Sequence, residues 1–376
     1  MNRLVLIGNG FDLAHGLNTS YKHFLNWYMG ELGGHLLGGL GKEESDGLCS
    51  IKLKEDINVP NWASVFQGWY FKRENPFIQW DKHDAFFEAY KDKNLCKFTF
   101  ISPLLQQIWK QLLSGWVDIE NAYYSLLIEV KMSIDKGFIH PDYKTLNKHL
   151  DILKSQLIQY LKFESEKKIP VIKEIKEKIF CPIKERELSV VYKTSVDKSI
   201  LKGKRPSSIM LLNFNYTKTP EQYVSNSSKV KINYIHGQLD YPESVIFGYG
   251  DELDSSYQKL KNLNNNECLR HIKSIRYLES DNYRRMLEFI ESAPFQIIIM
   301  GHSCGNSDRT LLNRLFEHRN CVSIKPYYYI NNEEKDNYID MVQNISRNFT
   351  DMNLMRDRVV NKKYCTPLSE DIKNKT

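Results

Sequence analysis

Met1-Asn2-Arg3-Leu4-Val5-Leu6-Ile7-Gly8-Asn9-Gly10-Phe11-Asp12 opens the chain. Leu4 to Ile7 is an uninterrupted apolar run, the pattern of a parallel strand buried on both faces. It ends in Gly8-Asn9-Gly10. The cap-type residues Asn18-Thr19-Ser20 then precede a helical stretch from Tyr21 to Met29. A buried strand, a glycine-rich turn and a helix make a minimal nucleotide cradle. Glycines let the backbone approach a phosphate, and helix-start N–H groups face the anion. The spacing is neither a full G-x-G-x-x-G nor a P-loop, so the same stretch also reads as a plain strand-to-helix turn.

Further strands of the same kind come much later. Ile209 to Leu212, Val230 to Ile235, Val245 to Phe247, Phe295 to Met300 and Val322 to Ile330 are short apolar runs. Helical patterns lie around Asp281 to Glu291, Ser307 to Arg319 and Glu333 to Ile345. Short apolar strands separated by helices predict a parallel sheet. The expected fold is α/β, a Rossmann-like doubly wound parallel sheet with a large helical insertion. Residues 1–60 supply its first strand, turn and helix, 61–205 the insertion, 206–362 the remainder, and 363–376 a loose tail. Within the first part, Gly30 to Gly47 reads as a mobile loop. Trp62 to about Phe180 is largely helical in pattern. Leu104, Leu105, Ile108, Trp109, Leu112 and Leu113 form one apolar stripe, and Trp116, Ile119, Ala122, Tyr123, Leu126 and Leu127 a second. Leu146 to Leu161 and Ile172 to Ile179 predict further helices, and Pro182 to Pro206 a polar connector.

The 376 residues are ample for a core, and 41% of them are hydrophobic. A net charge of +6 permits nucleic-acid contact but suits an anionic small molecule equally. Only four apolar residues separate Arg3 from Gly8, too few for a signal peptide, and no apolar stretch could span a bilayer. The expected compartment is the cytoplasm, with no membrane partner. The seven cysteines are far apart and never C-x-x-C, which fits free thiols and argues against a zinc site.

Polar or glycine-rich loops follow four of the predicted strands. Ligands of open parallel sheets bind beyond the carboxyl ends of strands, so these loops describe one crevice. Gly8 to Asp12 is the first. Asn213-Phe214-Asn215-Tyr216-Thr217 is the second; its asparagines can fix hydroxyls or a water, or can cap their own turn. His236-Gly237 is the third, with an imidazole that titrates near neutrality. Gly301-His302-Ser303-Cys304-Gly305 to Asp308 is the fourth. It matches the G-x-S-x-G nucleophile elbow, but an elbow needs its acid and histidine later in the chain. The only later histidine is His318, in the helix that leaves the elbow itself. The better reading is a phosphate or ribose contact from Gly301 and Ser303, with Asn306 or Ser307 capping a helix and Asp308 in its first turn.

Asn9-Gly10-Phe11-Asp12-Leu13-Ala14-His15-Gly16-Leu17, Thr19-Ser20-Tyr21, Trp116-Val117-Asp118-Ile119-Glu120, His236-Gly237 and Gly301-His302-Ser303 together resemble the AbiH family of bacteriophage abortive-infection proteins. That resemblance implies a bacterial anti-phage role. A more distant one is to sirtuin-like NAD-binding domains. There Gly8-Asn9-Gly10, Phe214-Asn215-Tyr216-Thr217, His236-Gly237 and Gly301-His302-Ser303 with Asp308 match the NAD-contacting segments. Asn9 replaces a small residue near the phosphates, and Thr217 replaces an acid. The resemblance implies NAD as substrate, with nicotinamide released through an oxocarbenium-like transition state. His236 would be the base and Asn215 would hold the ribose or a water. Gly8, Asn9, Gly10, Asp12, Asn213, Gly301, Ser303 and Asp308 would position the nucleotide. Asp12 would contact the ribose or order the turn. The alternative is a non-catalytic module that senses a nucleotide or binds another defence protein. A phage-derived trigger and a homo-oligomer are both compatible with either reading. A nuclease would need a carboxylate-rich metal site, and no strand end carries one.

Overall fold

The computed structural model describes residues 1–38, 43–53, 96–113, 117–135, 142–197, 203, 205–224, 229–331 and 333–369. The chain divides into two compact units, Met1–Thr19 with Leu161–Thr376, and Ser20–Tyr160. In chain order the strands are β1 (Asn2–Ile7), β2 (Glu43–Ser45), β3 (Cys49–Leu53), β4 (Cys96–Phe100), β5 (Ile209–Asn213), β6 (Val230–Tyr234), β7 (Phe295–Met300) and β8 (Cys321–Tyr327).

The first unit holds a five-stranded sheet in the order β6-β5-β1-β7-β8, with every neighbouring pair parallel. Chain order therefore runs outward from β1 in both directions and reverses beside it. Side chains alternate between two apolar layers. Leu4, Leu6, Met210, Leu212, Ile297 and Ile299 pack in one layer with residues from the helices Asn282–Ser292, Arg309–Phe316 and Tyr338–Arg347. Val5, Ile7, Ile209, Leu211, Ile298 and Met300 pack in the other with Ile175 and Ile179 of the helix Lys173–Phe180. Because both faces are covered, the central strands read as largely apolar runs, while the edge strands β6 and β8 also carry Lys231 and Lys325. The fold is mixed α/β on a parallel sheet.

A buried polar assembly also lies within the first unit. Arg3 is fully buried; its guanidinium donates to the carbonyls of Ile179 and Cys181 at 2.8 and 2.7 Å and to Gln296 Oε1 at 2.7 Å. Gln296 in turn donates to Glu187 Oε2 at 3.1 Å and to Ser323 Oγ at 3.2 Å. Glu187 pairs with Lys325 at 2.7 Å. The arginine thus satisfies carbonyls left over at the end of the helix Lys173–Phe180.

The second unit contains the three-stranded antiparallel sheet β2-β3-β4 and the helices Tyr21–Gly38, Pro103–Leu113 and Ile119–Asp135, with most of Tyr143–Ser165. The stripes expected at Leu104, Leu105, Ile108 and Trp109, and at Ile119, Ala122, Tyr123, Leu126 and Leu127, are buried. Trp116 and residues 54–95 lie outside the described residues.

Three expectations are corrected. Val245-Ile246-Phe247 is not a strand. It follows the 3-10 turn Pro242–Ser244, and the Ile246 N–H donates to His236 O rather than to a ladder; burial, not sheet pairing, accounts for its apolar character. Gly30 to Gly38 is helical, not loop. Glycine costs roughly 1 kcal/mol in a helix interior, but Phe24, Leu25, Tyr28, Met29 and Leu32 bury the helix face that carries it. Cys96–Phe100, within a stretch expected to be helical, is a strand whose Phe-Thr-Phe end suits antiparallel pairing with β3. The connector after Pro182 holds the 3-10 turn Glu185–Glu187 and the short helix Val190–Ser195. Beyond Lys362, Pro367 bridges to Tyr328 and Leu368 is buried.

Candidate functional site

β1 passes through Gly8 directly into the short helix Asn9–Ala14. The turn lies against the loop after β7. A side chain at Gly8 would put its Cβ 2.5 Å from His302 Cα, and Gly301 takes a left-handed φ of +74° beside Gly10 and Phe11. The amides of Gly8, Gly10 and Phe11 donate to the carbonyls of Met300, Gly301 and Gly8 at 3.2, 2.8 and 2.8 Å. These glycines therefore serve a backbone-to-backbone contact, and the amides expected to face a phosphate are already engaged. Asn9 is exposed, and its Oδ1 accepts from Thr19 Oγ1 at 2.5 Å.

The loop after β5 locks onto that turn. Asn213 caps its own loop: its Nδ2 donates to Thr217 O at 3.0 Å and its Oδ1 accepts from the Asn215 N–H at 3.2 Å. Asn215 reaches across to Gly8 O through Nδ2 at 3.0 Å. Thr217 Oγ1 donates to Asp12 Oδ2 at 2.7 Å. Asp12 is 1% exposed, and its Oδ1 has no hydrogen-bond partner among the described residues. Burial raises the Asp12 carboxyl to about 6, against the opposing hydrogen bond of Thr217.

The chemically richest group lies at the carboxyl ends of β6 and β7. Asp308 stands at its centre. Lys273 Nζ is 2.8 Å from Oδ1, His236 Nε2 3.4 Å from Oδ1, and His302 Nε2 3.5 Å from Oδ2. All four residues are buried. Burial alone would raise the Asp308 carboxyl; the Lys273 ammonium and then His236 outweigh it and hold the group well below its ordinary range. The ionised carboxylate only accepts, so His236 presents Nε2–H to it. No hydrogen bond reaches His236 Nδ1 among the described residues, which leaves its lone pair available. His302 takes the same tautomer, because its Nδ1 accepts from the Cys304 N–H at 2.9 Å. Burial and the Lys273 charge push the His236 imidazole below its ordinary value, with Asp308 pulling the other way. Tyr277 OH lies 3.2 Å from His236 Nε2, and the Phe214 ring meets both imidazoles edge-on, at 5.2 and 4.1 Å.

The structure thus brings His236 and Asp308 into contact, and ties Asn215, Asn213, Asp12, Gly8, Gly10 and Gly301 into the adjoining turns. Ser303 is exposed, and its carbonyl accepts from Asn344. Asp308 caps no helix with its side chain, although the helix Arg309–Phe316 starts immediately after it. His318 pairs with Glu291 at 3.0 Å, in keeping with the rejected nucleophile elbow. His15 is structural, held between Phe11 O at 2.6 Å and Tyr223 OH at 2.7 Å. Sequence reasoning passed over His302, Lys273 and Tyr277. His302 could have been found, since it follows Gly301 just beyond the end of the best strand. Lys273 and Tyr277 sit in short helical turns and carry no sequence signal.

These features define an α/β protein with a buried ionic and imidazole centre at the carboxyl edge of its parallel sheet. The family described as bacteriophage abortive infection AbiH matches residues 4–329. The chain belongs to that family, which implies a role in phage abortive infection. No curated protein matches it. Among the described residues, no helix is long and apolar enough to cross a membrane.

Proposed function

We propose that this abortive-infection protein acts on NAD at the carboxyl edge of the sheet, releasing nicotinamide, with His236 as general base. One observation carries the reading: an imidazole with an open Nδ1 is backed by an ionised carboxylate at a strand end. The strand order adds support, because it reverses beside β1, where open α/β sheets bind ligands. In the reaction, the bond from ribose C1′ to the nicotinamide nitrogen breaks and its electron pair leaves with neutral nicotinamide. A water adds to C1′ and gives its proton to His236 Nδ1. Asp308 orients His236 and offsets the imidazolium charge. Asn215 Oδ1, which accepts no hydrogen bond among the described residues, suits a ribose hydroxyl. Asp12 suits a second hydroxyl through its unpartnered Oδ1.

The residues present fit the sugar end of NAD better than its phosphates, since the amides of Gly8, Gly10 and Phe11 are taken. His236 is 3% exposed, so substrate reaches it only when the structure opens locally. That requirement suits an effector that stays silent until a phage trigger arrives. The test is nicotinamide release by purified wild-type and His236→Ala protein, followed by mass spectrometry with and without phage lysate. Release that falls at least about 100-fold in the variant is expected. Absence of release in every condition would refute cleavage and favour a nucleotide sensor.

A further inference from the structure

A shallow depression, open to solvent, is lined by Lys184, Glu185, Arg186 and Lys193. From its unpaired cations we infer a second binding site, for a ligand carrying an oligophosphate, at the amino edge of the sheet. Its position follows from its frame. The Ser189 N–H donates to Val322 O, near the start of β8, and Ile183 and Leu188 pack with Val322 and Met1. The histidine centre lies at the opposite, carboxyl edge, so the two sites share no residue.

The frame is fixed while the cations are presented outward. Glu187 is buried against Lys325 and Gln296, and the Val190 N–H donates to Asp357 at 2.7 Å. Lys184 and Arg186 project exposed between these anchors. None of the four lining side chains forms an ion pair among the described residues. Three cations against one carboxylate leave a surplus of positive charge without a counterion. Arg186 is oriented by the Tyr364 ring, 4.9 Å away, and Lys363 brings another ammonium to 4.8 Å from the same ring.

The charge surplus suits several phosphate oxygens better than a single carboxylate. Val190, three residues before Lys193 on the same helix, is 60% exposed and gives an apolar shelf beside the cations. A nucleoside di- or triphosphate meets both features; inorganic oligophosphate meets the first.

Calorimetric titration of the full chain with ATP, and separately with inorganic tripolyphosphate, tests the site at physiological salt. Binding tighter than about 1 mM is expected. The double variant Arg186→Gln/Lys193→Gln is expected to weaken it at least about tenfold. Lys259→Gln, an exposed lysine elsewhere, and His236→Ala are expected to leave it unchanged. Tighter binding of ATP than of tripolyphosphate assigns a nucleotide, and equal binding assigns the oligophosphate alone. The site is overturned if neither ligand binds, if the double variant binds as wild type does, or if Lys259→Gln weakens binding equally. Because His236→Ala leaves this site intact, its failure is separate from that of NAD cleavage.

Discussion

The first unit buries two polar assemblies, and they differ in kind. The assembly of Arg3, Gln296, Glu187, Ser323 and Lys325 holds no histidine, and its guanidinium is spent on backbone carbonyls. The assembly of His236, His302, Asp308 and Lys273 has one carboxylate facing three partners, and its imidazole contacts are long, at 3.4 and 3.5 Å. Short, saturated contacts hold parts together. Long contacts around a shared carboxylate leave room for a proton to move and for geometry to tighten on binding. Burial alone therefore does not separate structure from chemistry; the residue types and the slack between them do.

The largest expected effect breaks the first assembly. Glu187→Ala strands the Lys325 ammonium in the interior and should destabilise the fold by about 3–5 kcal/mol in urea unfolding, because a buried charge loses its partner. The imidazole resonances of His236 should stay in place. Lys273→Met attacks the second assembly and should cost somewhat less, about 3 kcal/mol, because the two histidines remain beside Asp308. It should also raise the Asp308 carboxyl, read by NMR titration; an unmoved carboxyl would remove Lys273 from the account.

Asp12 sharpens the contrast through pH. Its folded carboxyl is raised to about 6 from 3.8, so between these values the folded state holds the proton that the unfolded state has lost. Stability from this group is full below 3.8 and declines as pH rises through about 6, by on the order of 3 kcal/mol. Asp12→Asn should abolish that decline. His236 acts with the opposite sign. Its folded value is depressed, so its contribution is full above the ordinary 6.5 and is lost as pH falls. A melting profile of the two variants across acidic to neutral pH separates the contributions. The smallest effect is local: Ser189→Ala removes the cap on the Tyr192 N–H and should cost about 1 kcal/mol, with both assemblies unchanged.

The parallel sheet was legible because its central strands are largely apolar on both faces, and Leu4 to Ile7 or Ile297 to Met300 cannot easily be anything else. Val245 to Phe247 misled for the same reason, since a buried coil is as apolar as a buried strand. His236 and Asp308 could be named from their places after β6 and β7. Their contact could not, because it depends on where the loop after β7 settles. Lys273 was invisible: a lysine in a four-residue helix gives no hint that it will be buried beside an aspartate from a distant loop.

The packing of Gly8 against His302, and of Gly301 against Gly10, has a bearing on how mutational scans of this chain are interpreted. Any side chain there must push two strand ends apart. Loss of phage resistance at these glycines would therefore register a seam between neighbouring strands, whether or not any molecule ever touches them.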